Sequence, residues 1–416
     1  MPEESVNKLV SHLFRHEAGK MAAVLTRLVG LRELQVAEDL VQDTLLQALN
    51  TWKIKGIPEN PAAWLYTVAK RKAIDHIRQR TTHTQIETEL AKAFRSEWTL
   101  APAVNRLFEH ELEDSQLRMM FACCHPSIPY ESQMALILKT LCGLSVSEIA
   151  HSFLTQQETI TKRLYRAREK IRAEGIELEQ ISPVTITNRQ NTVLHTLYLL
   201  FSEGYNSTHP DKLIRHDLCE EAMRLCLLLT RNPLTNNSET NALLALMCYQ
   251  ASRAASRIDD AGHIVLLQNQ NRTEWNQALI QKGNTYLDIA ATSENLSEYH
   301  LEAAIAGTHA RAASFEATRW DYILNLYELL SEIKADPFVK LNKAIALGHA
   351  KSTAEGLTYL LTIKELAGNS IYQAALGDFY TKLNNPKAAR LHYQKAISLT
   401  QSASELHLLN MKLEKL

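Results

Sequence analysis

The sequence predicts an all-α protein in which two small helical domains are followed by a helical-repeat domain. Apolar residues recur at helical spacing along nearly the whole chain. Runs of β-branched residues with a period of two, which would indicate strands, are absent. Gly and Pro, the residues that most disfavour helices, are few: the 416 residues include 13 Gly and 11 Pro.

Length and charge restrict the class of protein. A chain of 416 residues predicts roughly two to four domains. The 45 basic and 46 acidic side chains give a net charge of −1, which argues against a general nucleic-acid coat but permits local basic patches. Six Cys in so long a chain indicate reduced thiols rather than a disulfide framework. Without signal-peptide features or a membrane-length apolar run, the sequence predicts a cytoplasmic protein with no membrane association.

The chain divides into four predicted segments. A compact helical block at 6–80 is followed by a polar, irregular linker at 81–111 and a smaller helical block at 112–175. Pro183 and the polar or β-branched residues at 176–188 indicate a boundary. The remainder, 183–416, is predicted to form Ala- and Leu-rich helices.

An amphipathic helix is predicted at 37–49. Its apolar positions point inward: Leu40, Val41, Leu45 and Leu49. Its predicted outer face is acidic and polar: Glu38, Asp39, Gln42, Asp43 and Gln47. Taken alone, the segment fits an ordinary amphipathic helix equally well.

The helix predicted at 60–80 has a basic face. Asn60 can cap it and Pro61 suits its first turn. The apolar stripe faces the protein: Leu65, Val68, Ala69, Ala73 and Ile77. An exposed aromatic residue and polar or charged residues are the candidates for holding an unpaired DNA strand: Asn60, Trp64, Lys70, Arg71, Lys72, Asp75, Arg78 and Arg80. The alternative is a solvated basic face in which Asp75 pairs with Arg71 and Arg78.

Residues 144–172 predict a helix-turn-helix. Ser145 with Glu148, and Thr155 with Glu158, fit two successive capping boxes, and Leu154 marks the turn. The second helix turns four residues inward: Ile160, Leu164, Ala167 and Ile171. Its other face has the groups that read base edges and hold phosphates: Gln156, Gln157, Thr159, Thr161, Lys162, Arg163, Arg166 and Arg168. The alternative is an amphipathic helix hairpin with a charged surface.

A tetratricopeptide-like pattern lies near the end of the chain. It places small and aromatic residues at characteristic positions: Leu376, Gly377, Tyr380, Ala389, Tyr393 and Ala396. The small residues would let two antiparallel helices approach closely, with the tyrosines between them. Because one such unit is not stable alone, 299–398 is predicted to be a stack of degenerate helix pairs.

In chain order, these segments resemble parts of the sigma-70 superfamily. Residues 37–48 resemble the polymerase-binding helix of region 2, and 61–78 resemble the segment that melts and reads the −10 element. Residues 144–168 resemble region 4, which reads the −35 element. Region 3 is missing, as in the extracytoplasmic-function group. Segments 123–126, 197–206 and 264–276 resemble a subgroup with a C-terminal tetratricopeptide-like extension.

The resemblance implies a sigma factor that binds core RNA polymerase and promoter DNA and directs promoter-specific transcription initiation. The implied polymerase-binding residues lie on the first amphipathic helix: Asp39, Leu40, Gln42, Asp43 and Leu46. The 60–80 helix and the loop 56–61 would capture melted −10 bases. The C-terminal domain would modulate activity, with a groove suited to a protein or peptide partner. No cofactor or metal is expected.

Other functions stay open. A helix-turn-helix regulator with a repeat sensor domain would need neither polymerase docking nor strand capture. A helical-repeat scaffold would have no salt-dependent DNA affinity. Enzymatic activity is not expected, because no phosphate-binding Gly loop, nucleophile elbow or other catalytic constellation is present. Cys123, Cys124 and His125 lack a second ligand pair at zinc spacing, so a buried structural role is predicted, with sensing as the alternative.

Overall fold

The computed structural model describes the chain except for residues 1–2, 81–101, 154, 179–181, 208–212, 260, 294 and 401. The side chains of residues 3–12, 15, 80 and 102–111 also lie outside the description. Within the described residues all regular elements are helices, and one isolated antiparallel bridge joins Ile258 to Ile264. The predicted all-α class is confirmed.

The chain forms two compact units. The first contains residues 1–200 and 232–235, and the second contains 201–231 and 236–416. The helices that begin in the first unit are α1 (Glu3–Val29), α2 (Leu34–Lys55), α3 (Pro61–Arg80), α4 (Pro102–Cys123), α5 (Tyr130–Thr140), α6 (Val146–Ser152), α7 (Gln157–Glu174) and α8 (Pro183–Tyr205).

Helices α1, α2 and α3 enclose one apolar core. Met21, Val41, Trp52 and Leu65 are buried there, each at a position that helical spacing turns inward. Helix α2 ends at Gly56, whose φ of 80° favours glycine. This bundle positions the outer faces of α2 and α3.

Helix α4 begins earlier than the sequence predicted. It starts at Pro102, inside the segment expected to be an irregular linker up to residue 111. Proline suits the first helical turn, where its missing N–H costs no hydrogen bond. The remaining part of that predicted linker, 81–101, lies outside the described residues.

Pro183 likewise begins a helix, α8, where a domain boundary was expected. The Ser182 hydroxyl accepts a hydrogen bond from the Thr185 N–H at 3.2 Å, so the polar residues cap the first turn. The first unit extends to residue 200. The division therefore lies within α8 rather than before it.

The second unit is built of successive helices. These are α9 (His216–Arg231), α10 (Ser238–Ser252), α11 (Gln277–Ala290), α12 (Glu298–Arg311), α13 (Trp320–Ile333), α14 (Pro337–Ala350), α15 (Thr353–Leu360), α16 (Ser370–Lys382), α17 (Pro386–Leu399) and α18 (Ala403–Glu414). From α10 onward, consecutive helices pack on one another. A Cβ on Gly377 would lie 2.4 Å from the Tyr393 ring, so the predicted close approach of α16 and α17 is confirmed.

Among the described residues, none of the helices is both long enough and apolar enough to cross a membrane.

Candidate nucleic-acid interface

The basic face of α3 is largely formed as predicted. The Asn60 side-chain oxygen accepts a hydrogen bond from the Ala63 N–H at 3.0 Å, which confirms the cap. Arg71, Asp75 and Arg78 are exposed. Two further predicted residues are half-buried: Lys70 and Lys72. The side chain of Arg80 lies outside the described residues.

The pairing of Asp75 that belongs to the alternative, solvated-face interpretation is seen with Arg78. The Arg78 Nη1 lies 4.0 Å from the Asp75 carboxylate, and both side chains are more than half exposed. Exposed pairs of this kind contribute at most about 1 kcal/mol. The contact therefore leaves Arg78 able to exchange its partner for a phosphate.

Trp64 is not the exposed aromatic that the sequence predicted. Its ring is half-buried and meets the Trp52 ring edge-on, with centroids 5.4 Å apart. Trp52 belongs to α2 and is itself buried in the core. The expectation was wrong because the spacing within α3 could not show that a second tryptophan covers this flank.

The outer face of α2 presents a polar stripe with one apolar residue. Asp39, Gln42 and Asp43 are exposed, and Leu46 is 58% exposed one turn further on. These positions lie three or four residues apart, so they share one helix face. Leu40, the remaining candidate for polymerase binding, is half-buried and packs against the core.

Glu38 does not belong to that outer face, contrary to the prediction. Its carboxylate pairs with Arg168 of α7 at 2.7 Å, and the two side chains are 12% and 19% exposed. Burial raises the pKa of Glu38, although the charges of Arg168 and Lys139 oppose that rise. Glu38 and Arg168 thus join α2 to α7, and Arg168 is withdrawn from the predicted DNA-contact surface.

The first predicted capping box is formed at α6. The Glu148 N–H donates to the Ser145 hydroxyl at 3.2 Å, and the Ser145 N–H donates to the Glu148 carboxylate at 2.6 Å. The second box is not formed, because Gln156 rather than Thr155 precedes the first turn of α7 and its side chain makes no cap bond. Leu154 lies outside the described residues.

Helix α7 has the predicted inner and outer faces. The inward positions are all buried: Ile160, Leu164, Ala167 and Ile171. On the other face most of the candidate DNA contacts are exposed: Gln156, Gln157, Thr161, Lys162 and Arg166. Thr159 is half-buried. The amides, hydroxyls and cations near the start of α7 therefore lie together at the surface.

Arg163 is held by the protein rather than left free. Its guanidinium pairs with the carboxylate of Glu131 in α5 and lies 5.6 Å from the Phe153 ring centroid. The Arg163 side chain is 22% exposed. Spacing within α7 could not reveal this, because Glu131 comes from a different helix.

Further contacts join the first and third sequence blocks within the first unit. Arg172 donates to the Arg32 carbonyl at 3.3 Å, and Arg32 donates to the Gly175 carbonyl at 3.5 Å. A Cβ on Gly19 of α1 would lie 1.8 Å from the Leu141 carbonyl oxygen. This close approach was not predicted from the sequence, in which a glycine inside a helical pattern is its one signal.

Cys123 and Cys124 are fully buried, in agreement with the predicted structural role. Burial raises the pKa of Cys123 to about 12 and raises the pKa of Cys124 well above its usual range. Both thiols therefore stay protonated at neutral pH. Within the described part of the chain, the His, Cys, Asp and Glu side chains form no group that could hold a metal ion.

Comparisons with known families match two parts of the chain. Residues 13–82 match the Sigma-70 region 2 family, which covers the outer faces of α2 and α3. Residues 189–291 match a family of unknown function (DUF6596).

Relatives extend the similarity. An uncharacterized protein (R00370) of Rhizobium meliloti is 34% identical over 388 residues, which are 92% of this chain and 91% of the relative. The ECF RNA polymerase sigma factor SigE of Mycolicibacterium smegmatis is 26% identical over 160 residues, 38% of this chain and 59% of that protein. The RNA polymerase sigma factor SigV of Bacillus subtilis is 26% identical over 138 residues, 33% of this chain and 75% of that protein. No solved structure matches.

Proposed function

Because residues 13–82 match the Sigma-70 region 2 family and an ECF RNA polymerase sigma factor aligns with 38% of the chain, we propose that this protein is an extracytoplasmic-function sigma factor. In this role it binds core RNA polymerase and directs promoter-specific transcription initiation. Its C-terminal helical unit modulates that activity.

One observation carries the proposal. The region 2 match at 13–82 and the exposed polar start of α7 lie in the same compact unit. The outer face of α2 would dock on core polymerase. The basic face of α3 would bind the −10 element. The start of α7, behind the short helix α6, would enter the major groove at the −35 element.

Each surface has a defined role in this proposal. The stripe of Asp39, Gln42, Asp43 and Leu46 docks on core polymerase, with polar contacts along the stripe and one apolar contact at its end. On α3, Arg71 and Arg78 hold the phosphates of the melted strand. On α7, Lys162 and Arg166 contact phosphates of the duplex and so hold it in register. In this proposal, the Gln156 and Gln157 amides read adenine edges.

Arg163 and Arg168 have a different role in the proposed cycle. Arg163 forms an ion pair with the Glu131 carboxylate, and Arg168 forms one with the Glu38 carboxylate. Contact with DNA would require these pairs to open. The first unit is closed while both ion pairs are formed and open when they are broken. The closed unit is the resting form, and polymerase and promoter bind the open unit.

The proposed role of the second unit is regulatory. Its successive packed helices resemble the scaffolds on which helical-repeat proteins take protein or peptide partners. Such a partner, bound to this unit, would shift the first unit between its closed and open forms.

In vitro transcription with sigma-free core polymerase on a genomic fragment library tests the proposal. The full chain should produce promoter-specific transcripts that the Lys162→Ala/Arg166→Ala variant reduces at least about tenfold, since two phosphate contacts are lost. Lys387→Ala, an exposed cation in α17, should retain full activity.

Core binding is measured separately with Leu46→Ser. Removal of the one apolar contact of the stripe should weaken core binding about tenfold. Ile54→Ser, which changes an 87% exposed residue of the same helix, is the matched control. A chain that binds duplex DNA but neither binds core polymerase nor yields transcripts would instead be a helix-turn-helix regulator.

A further inference from the structure

The second unit contains a cavity of about 530 Å³, lined by residues of α13 to α18 and by the segment 266–268. This volume lies within the range of small-molecule sites, which is about 300–1,000 Å³. Neither matched family nor the proposed function assigns it a role. Its lining is divided between an apolar wall and a charged end.

The apolar wall is aromatic. Trp320 stacks on His349 with ring centroids 4.3 Å apart and an interplanar angle of 19°. The Phe315 ring meets both of them edge-on at 5.2 Å. Phe379, which is buried against Gly348, continues the wall. These rings hold one another in place, so the wall is preformed for a flat apolar body.

The charged end has more positive than negative charge. Lys382, Lys412 and Lys415 line it together with one side-chain carboxylate, that of Asp378. Both oxygens of Asp378 lie 2.7 Å from the Lys412 ammonium. The Tyr393 hydroxyl also donates to this carboxylate, at 2.6 Å. Asp378 is therefore already paired, and no second Asp or Glu side chain among the described lining residues is left for the other two ammonium groups.

Lys382 is the better placed of these two ammonium groups. Its Nζ lies 3.4 Å from the His349 Nε2, at the edge of the aromatic wall. Burial lowers the pKa of Lys382, with the nearby Asp378 charge opposing and the Lys412 charge reinforcing this effect, although part of the side chain reaches water. Burial and the Lys382 charge lower the pKa of His349 to about 4, so His349 is neutral at physiological pH. A ligand anion would supply the missing counter-charge.

We propose that this cavity binds a small organic anion with an aromatic body and a single carboxylate group. The body lies against Phe315, Trp320 and Phe379, and the carboxylate accepts hydrogen bonds from the ammonium groups of Lys382 and Lys415. A peptide segment fits the lining less well, because Gln268 is the one amide side chain among the described lining residues to pair with peptide backbone.

Calorimetric titration of the full-length protein, without polymerase or DNA, tests this site independently of the proposed function. The probes are naphthoate, the uncharged naphthamide and acetate, which separate the contributions of charge and apolar body. Naphthoate should bind saturably with one site per chain. Naphthamide should bind about tenfold more weakly, because it cannot accept charge-assisted hydrogen bonds as a carboxylate does. Acetate should not bind at millimolar concentration.

Three variants locate the binding. Lys382→Met should weaken naphthoate affinity about tenfold while leaving naphthamide affinity nearly unchanged. Thr353→Phe, which fills part of the cavity, should abolish binding of both. Lys387→Met, an exposed lysine of α17 outside the lining, should bind as the native chain does. Circular dichroism melts establish that each variant is folded.

Several results would overturn the proposal. These are an absence of saturable naphthoate binding, equal affinity for naphthoate and naphthamide, and affinity that is insensitive to Lys382→Met and Thr353→Phe in folded protein. Selection of peptides whose binding depends on Lys382, by a chain that does not bind naphthoate, would assign the cavity to a peptide partner instead.

Discussion

Glu38 and Arg168 form an ion pair that leaves a polar atom of each side chain unsatisfied. The Glu38 Oε2 lies 2.7 Å from the Arg168 Nη2. The Glu38 Oε1 and the Arg168 Nε are buried and have no hydrogen-bond partner among the described residues. A buried pair in this condition recovers little of the cost of removing its charges from water. The ion pair therefore fixes the geometry of the contact between α2 and α7 but adds little to the net free energy of folding.

Replacing this pair by two apolar side chains should not weaken the closed unit. Arg168→Met alone removes the ion-pair partner of the buried Glu38 carboxylate and should destabilise the α2–α7 contact by about 2 kcal/mol. Glu38→Met/Arg168→Met should restore or exceed native stability. Hydrogen exchange of α2 and α7 in the full chain measures the difference. A double variant as unstable as the single one would show that the pair contributes substantial net stabilisation.

The Gly19→Ala substitution should open the first unit without unfolding α1. Alanine favours a helix over glycine by about 1 kcal/mol, but its methyl group would meet the Leu141 carbonyl oxygen. The radius of gyration from small-angle scattering should increase, and affinity for core polymerase should rise because less of the protein is closed. Gly368→Ala, whose added Cβ meets nothing within 4 Å, is the control. Unchanged scattering and core affinity would argue against a closed resting form.

Stability of the first unit should decrease at acid pH through Glu17. Burial would raise the pKa of Glu17, but hydrogen bonds from His16, Lys20 and Tyr66, with the Lys20 charge, lower it to about 2. Because its folded pKa lies below the ordinary value of 4.5, Glu17 stabilises the fold above pH 4.5. This contribution, about 3 kcal/mol, is lost as pH falls toward 2. Urea unfolding across this range should show the loss in the native chain and much less in Glu17→Gln.

The Gly377→Ala substitution should destabilise the second unit by about 1–3 kcal/mol. Its Cβ would lie 2.4 Å from Tyr393, a buried ring whose hydroxyl bonds to Asp378 and therefore has little room to move. Thermal unfolding followed by circular dichroism should show a lower midpoint for this variant. Gly368→Ala again serves as control, and equal midpoints for the two variants would contradict close α16–α17 packing.

The cysteines should resist alkylation in the native protein. All six are buried. Burial raises the pKa of three of them to about 12, namely Cys123, Cys219 and Cys248, and raises the pKa of Cys226 well above its usual range. Since the thiolate is the reactive species, mass spectrometry after iodoacetamide treatment should find unmodified protein, with full labelling in urea. Rapid native labelling of Cys123 or Cys124 would favour the sensing alternative.

The sequence by itself determined the helices, their inward faces and the family resemblance of the first block. These features depend on short-range spacing. Leu164 and Ala167 are buried because helical period places them on one stripe, and Ser145 and Glu148 cap α6 because they are three residues apart. The basic face of α3 and the exposed stripe of α2 were identified on the same grounds.

Tertiary structure alone decided which of those faces another helix covers. Trp64 was expected to be exposed and Glu38 to face outward, but Trp52 covers one and Arg168 pairs with the other. Arg163 similarly pairs with Glu131 of another helix. Helical period determines the direction of a side chain relative to its own axis, whereas its neighbour depends on how helices distant in sequence pack together.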